Sequence, residues 1–314
     1  MKKLVITGAT SMLGLALTKC AINLGMEVLC IVRKTSKNLD TLLKLNNLKI
    51  EFCDLSNYSN LNIEGKFDAF FHLAWDKTHF SLRDDVYGHE RNIRYTLDAV
   101  HLAKKLKCSV FIGAGSQAEY GIASCLLSSD TPVNPENGYG IAKYAAGKLS
   151  RILCSQESIR HVWVRILSVF GPQMEEHTVI MYVLKELLMN RSPKLTKCEQ
   201  EWDFLYSEDA AAALIALADK GINGKVYPLG SGKCRKLFEY IESIRNIVAP
   251  GKMIHFGEKQ YYPHQPMYLC ADISELTADT GWKPTISFES GIRKMFTPPL
   301  TQIVNSCEYI RQAA

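Results

Sequence analysis

Lys3-Leu4-Val5-Ile6-Thr7-Gly8-Ala9-Thr10-Ser11-Met12-Leu13-Gly14 is the stretch around which the rest of the chain is read. Leu4 to Thr7 reads as a short buried strand and Gly8 opens a tight turn. Met12 to Leu24 then carries apolar residues at helical spacing, among them Leu13, Leu17, Ala21 and Leu24. Strand, glycine turn and helix in that order aim the unpaired N–H groups and positive dipole end of the helix at an anion on the turn. A dinucleotide pyrophosphate is the usual anion. The spacing expected here is Thr-Gly-x-x-Gly-x-x-Gly, and Ser11 stands at the middle glycine. Its side chain occupies the place of close phosphate approach, while its hydroxyl can donate to phosphate. Taken alone, the stretch also fits an ordinary strand–turn–helix without a ligand.

Outward from that turn, strands and helices alternate. Strands are expected at Glu27 to Val32, Leu48 to Phe52, Asp68 to Leu73, Ser109 to Ile112 (breaking at Gly113-Ala114-Gly115-Ser116) and His161 to Ile166. One long helix is expected over Leu82 to Leu106 and another from Gly138 to about Cys154. Short connections between alternating elements predict an α/β fold, a doubly wound parallel Rossmann sheet. Ligands then sit beyond the carboxyl ends of the strands, so Arg33, Asp54, Trp75 and Ser116 share one rim. Arg33 and Lys34 follow the strand end that meets the adenosine ribose. A guanidinium there suits a 2′-phosphate, hence NADP, with NAD the alternative cofactor; a solvated basic loop explains the same two residues.

Beyond Pro172 the alternation decays. A helix is expected near Val179 to Leu188, an alanine-rich helix opening at Ser207 as its N-cap, a last sheet strand over Lys225 to Leu229, and a helix over Leu237 to Val248. The expected division is a dinucleotide-binding domain from residues 1–167 plus about 206–230. A smaller C-terminal substrate-binding lobe takes about 168–205 plus 231–314.

Composition sets the bounds. The 314 residues are 47% hydrophobic and 22% charged, as in a globular protein with a large core. A net charge of +5 is spread along the chain without a basic stripe, which argues against a nucleic-acid partner. No apolar run approaches the ~18 residues of a membrane span. The ten cysteines, from Cys20 to Cys307, form no C-x-x-C pair, so no metal site is expected. With the first strand starting at the third residue, the expectation is a cytoplasmic protein with reduced cysteines.

The chemistry-bearing constellation is Tyr139-x-x-x-Lys143 at a helix start, 23 residues after Ser116. Four residues apart, tyrosine and lysine share one helix face. A phenol with a pKa near ~10 is a poor acid–base catalyst, and a nearby ammonium brings it toward working pH. Lys143 is placed to do so, and the Ser116 hydroxyl can hold the substrate oxygen with which the phenol exchanges its proton. That is the acid–base half of a hydride transfer. A core tyrosine and a surface lysine would be the inert explanation.

With these residues in view, the sequence resembles the extended short-chain dehydrogenase/reductases of the nucleotide-sugar epimerase/dehydratase family. The resemblance covers nearly the whole chain. Its marks are the Gly8 turn, Asp54-Leu55, His72-Leu73-Ala74, Ser116 to Gly121 (S-Q-A-E-Y-G), Tyr139-x-x-x-Lys143, Val169-Phe170-Gly171-Pro172, Trp202 to Asp209, and Asp272 with Gly281-Trp282-Lys283-Pro284. It implies Ser116, Tyr139 and Lys143 as catalytic residues and NAD(P) as cofactor. The implied cofactor contacts are Gly8, Thr10, Ser11, Met12, Leu13 and Gly14 on the turn, Asp54 and Leu55 near the adenine, and Leu73, Ala74 and Trp75 along its length. It implies a nucleotide sugar held by Trp75, Ser116, Gln117, Tyr139 and Ser168, with Asn92 supporting the site from behind. Many relatives carry asparagine where Ser168 stands. Members pair two helices with their copies, which implies a homodimer.

Three reactions share the scaffold. A dehydratase of this family carries an Asp-Glu pair directly after the catalytic hydroxyl residue; Gln117 and Ala118 stand there instead. Between the remaining two, Arg33-Lys34 and Ser11 lean toward a reductase that exchanges NADPH each cycle over a 4-epimerase that retains NAD. The expected function is therefore reduction of a nucleotide-activated 4-keto deoxysugar for surface polysaccharide, with the 4-epimerase as alternative. A non-catalytic NADP-sensing regulator would have lost Tyr139 or Lys143, and both are present.

Overall fold

Parallel strands rise where the alternating pattern puts them: β1 (Lys3–Thr7), β2 (Glu27–Val32), β3 (Leu48–Phe52), β4 (Ala69–His72), β5 (Val110–Ser116) and β6 (Arg160–Ile166). Three short strands follow, β7 (Ser168–Phe170), β8 (Glu201–Trp202) and β9 (Phe204–Tyr206), before β10 (Val226–Leu229) returns to the sheet. β11 (Arg235–Lys236) and β12 (Tyr268–Leu269) flank β8 in a small separate sheet. The helices are α1 (Met12–Asn23), α2 (Leu39–Leu43), α3 (Val86–Lys105), α4 (Gly138–Gln156), α5 (Val179–Leu188), α6 (Ser207–Lys220), α7 (Leu237–Val248), α8 (Ser274–Thr280) and α9 (Phe288–Phe296). This computed structural model describes residues 1–261 and 265–296, so residues 297–314 of the expected lobe, Cys307 included, lie outside the described residues.

The main sheet has seven parallel strands in the order β10-β6-β5-β4-β1-β2-β3. The chain winds outward from β1 to β3, then returns to β4 beside β1 and winds the other way. α1 and α6 pack together on one face, around Leu4, Ile6, Leu17, Ile112, Val164 and Leu214. α3 and α4 pack together on the other, where Val5, Phe70, Val100, Leu102 and Phe111 are buried. Strands covered on both faces carry near-continuous apolar runs, as L-V-I and V-L-C-I-V do. A second core joins α5, α7 and α9 around Phe170, Phe204, Tyr240 and Phe288, with the Tyr240 and Phe288 rings 4.6 Å apart. Among the described residues, no helix is long and apolar enough to cross a membrane.

Four expectations need correction. The long helix starts at Val86 rather than Leu82, because Asp85 caps it: its Oδ1 accepts from the Gly88 N–H at 2.9 Å. β5 does not break at Gly113 but continues to Ser116. Gly113 lies opposite Trp163 of β6, and a Cβ there would stand 2.3 Å from the indole, so the glycine makes room for a ring instead of ending the strand. Ser207 is not the N-cap of α6; Tyr206 is, without a side-chain cap. The Ser207 hydroxyl is packed against Gly171, where a Cβ would lie 2.2 Å from it. Finally, the cysteines are not all reduced: Cys234 and Cys270 form a disulfide with Cα atoms 5.9 Å apart. β11 runs antiparallel and β12 parallel to β8, so the residues before one and after the other converge beside Asp203. The Asp203 carboxylate holds that place by accepting from Ser231, Gly232 and Ala271 N–H groups.

Candidate active site

Reversal of winding between β1 and β4 opens a crevice at their carboxyl ends. A cavity of about 520 Å³ lies there. Its walls include Gly8, Thr10, Ser11, Met12, Leu13, Arg33, Leu55, Leu73, Ala74, Trp75 and Tyr139. Gly8 has φ 71°, and a Cβ on it would stand 2.7 Å from the Ala74 nitrogen, so only glycine lets the two strand ends approach this closely. Ser11 caps α1: its Oγ accepts from the Gly14 N–H at 3.0 Å, which leaves its own O–H to donate. A helix N-terminus, a donor hydroxyl and the exposed Arg33 thus border one elongated groove. That donor set fits an anionic dinucleotide, whose pyrophosphate Ser11 to Leu13 would hold and whose adenosine ribose Arg33 would meet.

Several expected residues stand apart from this groove. Gly14 is behind the turn, where a Cβ would stand 2.2 Å from the Gly8 carbonyl. Lys34 is directed away, its ammonium 5.8 Å above the Phe52 ring. Asp54 is exposed and absent from the groove wall; its neighbours Cys53 and Leu55 take that place. Ser168 is engaged inside the protein, accepting from Trp202 Nε1 at 2.7 Å. Gln117 is half-buried in the single turn after Ser116. Residues that the sequence did not single out also line the groove, notably Tyr58, Thr78, Gln173 and Glu175. Asn38 buttresses it, donating to the Thr10 carbonyl at 3.0 Å.

The inner end gathers Ser116, Tyr139 and Lys143. Asn137 caps α4 through a 2.8 Å bond from the Gly140 N–H, which fixes Tyr139 and Lys143 on the first turns. Lys143 is buried; its Nζ donates to the Ala114 carbonyl at 2.7 Å and stands 3.8 Å over the Trp75 ring. Asn92 holds the segment after Trp75 by a reciprocal pair with Asp76, 2.9 and 3.0 Å. Burial pushes the Lys143 ammonium down to about 7, and the Glu119 charge works against that. Burial likewise raises the Tyr139 phenol, opposed by a hydrogen bond with Ser116 and by the charge of Arg83.

Arg83 thus stands beside the phenol as a second cation, in addition to Lys143, whose Nζ is 5.8 Å from the Tyr139 ring. The Arg83 guanidinium lies 5.4 Å from the Tyr139 ring, and its carbonyl accepts the Tyr139 N–H at 2.7 Å. Its Nε is buried without a hydrogen-bond partner, so it has a donor to give. Sequence reading missed Arg83 because it was placed inside the long helix. Asp85, a strong N-cap type followed three residues on by Gly88, was the available signal.

Comparison with known proteins bears on this arrangement. The family model for the NAD dependent epimerase/dehydratase family matches residues 4–230. A CDP-abequose synthase of Salmonella muenchen is 25% identical, over 94% of this chain and 97% of that protein. Among solved structures, a UDP-N-acetylglucosamine 4-epimerase from Methanobrevibacter ruminantium M1 superposes with a TM-score of 0.86 at 23% identity, covering 96% of this chain and 99% of that one. A UDP-glucuronic acid 4-epimerase from Bacillus cereus, in complex with UDP-glucuronic acid and NAD, gives a TM-score of 0.82 at 22% identity, covering 96% and 99%.

Proposed function

Because the chain belongs to the NAD dependent epimerase/dehydratase family, enzymes of the extended short-chain dehydrogenase type, we propose that it reduces the 4-keto group of a nucleotide-activated deoxysugar with NADPH. The observation that carries this reading is the continuous groove with Arg33 on its wall and Tyr139 and Trp75 beside the buried Lys143. The nicotinamide supplies the hydride when bound. Tyr139 gives its phenolic proton to the sugar oxygen, the Ser116 hydroxyl holds that oxygen, and Lys143 holds the ribose and replaces charge beside the phenol. The 4,6-dehydratase reaction is set aside because Gln117 and Ala118 bring no acid or base. The likeness to a CDP-abequose synthase supports a nucleoside-diphosphate carrier, as that protein's name includes one. A 4-epimerase holding NAD is the second reading. It is favoured by Lys34, which faces Phe52 and leaves Arg33 as the basic residue of the pair on the groove wall.

The test is incubation with NADPH and a panel of nucleotide 4-keto-6-deoxysugars, with absorbance loss followed and the product identified. Stoichiometric NADPH loss is expected with one panel member. Interconversion of 4-epimers with no NADPH loss would establish the second reading instead.

Arg33 carries the cofactor preference. Arg33→Asp should weaken NADPH by roughly 10–100-fold, the worth of a charged hydrogen bond at about 1.5–3 kcal/mol, and leave NADH nearly unchanged. Titration of both dinucleotides against both proteins decides it, and equal wild-type affinities would contradict it.

We further propose a homodimer through α3 and α4. Both helices leave large apolar side chains exposed: Val86 and Tyr87 on α3, Ile141, Leu149 and Ile152 on α4. Sedimentation should give about twice the 35.3 kDa chain mass. A monomer at micromolar concentration would count against the pairing.

A further inference from the structure

Glu119 is a carboxylate sealed into the wall behind the active site, 1% exposed. It does not face the groove. One oxygen accepts from the Ser116 N–H at 2.8 Å and from Trp163 Nε1 at 3.0 Å; the other accepts from Arg165 Nε at 2.9 Å. Arg165 is itself 4% exposed and lies 4.4 Å above the Tyr120 ring. Burial works against its charge, and Glu119 and Tyr120 outweigh that. A buried ion pair is expensive to desolvate and is weak support for stability, so its presence here asks for another use. The place is built for it: a Cβ on Gly115 would stand 2.4 Å from both the carboxylate and the indole nitrogen.

We propose that Glu119, anchored by Arg165 and Trp163, is a positioning residue that fixes the Ser116 turn and sets a buried carboxylate behind the strand end to which the Lys143 ammonium is bonded. The bond to the Ser116 N–H sets that residue's backbone, and with it the direction of the hydroxyl toward Tyr139. The charge acts on Lys143, the residue next to that turn whose Nζ is tied to the Ala114 carbonyl two positions before Ser116. Other titratable or charged groups do not supply the anion. His72 of β4 is held near 3 by burial and by Lys143, hence neutral. Tyr139 on the same helix is raised and stays a phenol, and Arg83 beside it is a cation. Without Glu119, burial alone would act on the lysine, and its proton would leave at lower pH.

The inference rests on the cofactor reading above. Its probe is the pH dependence of NADPH and NADH affinity across the neutral range, followed by nucleotide fluorescence. It is measured on the wild type, Glu119→Gln, Glu119→Asp and the double variant Glu119→Gln/Arg165→Met. Thermal melts accompany each, and the double variant removes the stranded guanidinium should the single one not fold. Wild-type affinity should fall as pH rises through about 7, where Lys143 loses its proton. In Glu119→Gln and the double variant the midpoint should move down by about one pH unit. Glu119→Asp keeps the charge and should keep the midpoint, whatever it loses in thermal stability. A purely structural role would lower affinity or melting temperature evenly at every pH. A folded neutral variant with the wild-type midpoint overturns the proposal. A wild-type protein that binds neither dinucleotide contradicts the cofactor reading, and the role given to Glu119 falls with it.

Discussion

Tyr139→Phe should cut turnover by ~10²–10⁴-fold while substrate and cofactor affinities stay near wild type. The change removes one hydroxyl and leaves the ring, so its contacts with Trp75, His89 and Arg83 persist, at 6.1, 5.6 and 5.4 Å. Two acid–base groups on the turn after Ser116 are engaged elsewhere. Glu119 is saturated by Ser116, Trp163 and Arg165, and the Tyr120 hydroxyl donates to the Ser128 carbonyl at 2.8 Å. The Ser116 hydroxyl keeps its bond from the Ala118 N–H at 3.2 Å, so the turn that carries it survives. Steady-state kinetics with circular dichroism on the purified variant checks this. A folded variant with near-normal turnover would remove Tyr139 from the chemistry.

Lys143→Met should cost turnover and cofactor affinity together, ~10²-fold or more in the first and roughly 10-fold in the second. Methionine fills the aliphatic stem's space under Trp75. It supplies neither the charge nor the donor, so the Ala114 carbonyl, met at 2.7 Å by the ammonium, is left without its partner. The proposed charged hydrogen bond from Lys143 to the ribose would go with it. Because the lysine sits near pH 7, the wild type should lose affinity on the alkaline side: the charged form prevails below about 7 and is lost above it. Lys143→Met should show no such limb. Cofactor titrations over pH resolve the two roles, and a variant with wild-type affinity and an intact alkaline limb would contradict both.

Much of the architecture was legible because the buried parallel strands write themselves as short apolar runs closed by turn residues. Leu4 to Thr7 with Gly8, and Glu27 to Val32, are found within a residue of their expected places. The strands β8, β11 and β12 have two residues each and leave no periodic trace. The disulfide between Cys234 and Cys270 depends on how those short strands flank β8, across a separation of 36 residues that no local spacing encodes. Tyr139-x-x-x-Lys143 was readable because one helix turn joins the pair. Glu119 and Arg165 meet only through the register of β5 against β6, in which Ser116 lies opposite Ile166, so their bond has no signature along the chain. Arg83 was hidden for a different reason: apolar residues on both sides continued the helical pattern through a stretch that is a separate short turn, Phe80–Leu82, with Asp85 opening the helix proper.

The most direct measurement of the proposed reaction uses NADPH deuterated at the transferable position of the nicotinamide, with the nucleotide 4-keto-6-deoxysugar that gives NADPH loss in the panel. The expected result is NADPH consumption equal to product formed, with deuterium at C4 of the sugar and none elsewhere. A product pool of two C4 epimers, formed from a nucleotide hexose with no net NADPH loss and no deuterium incorporated, would contradict it.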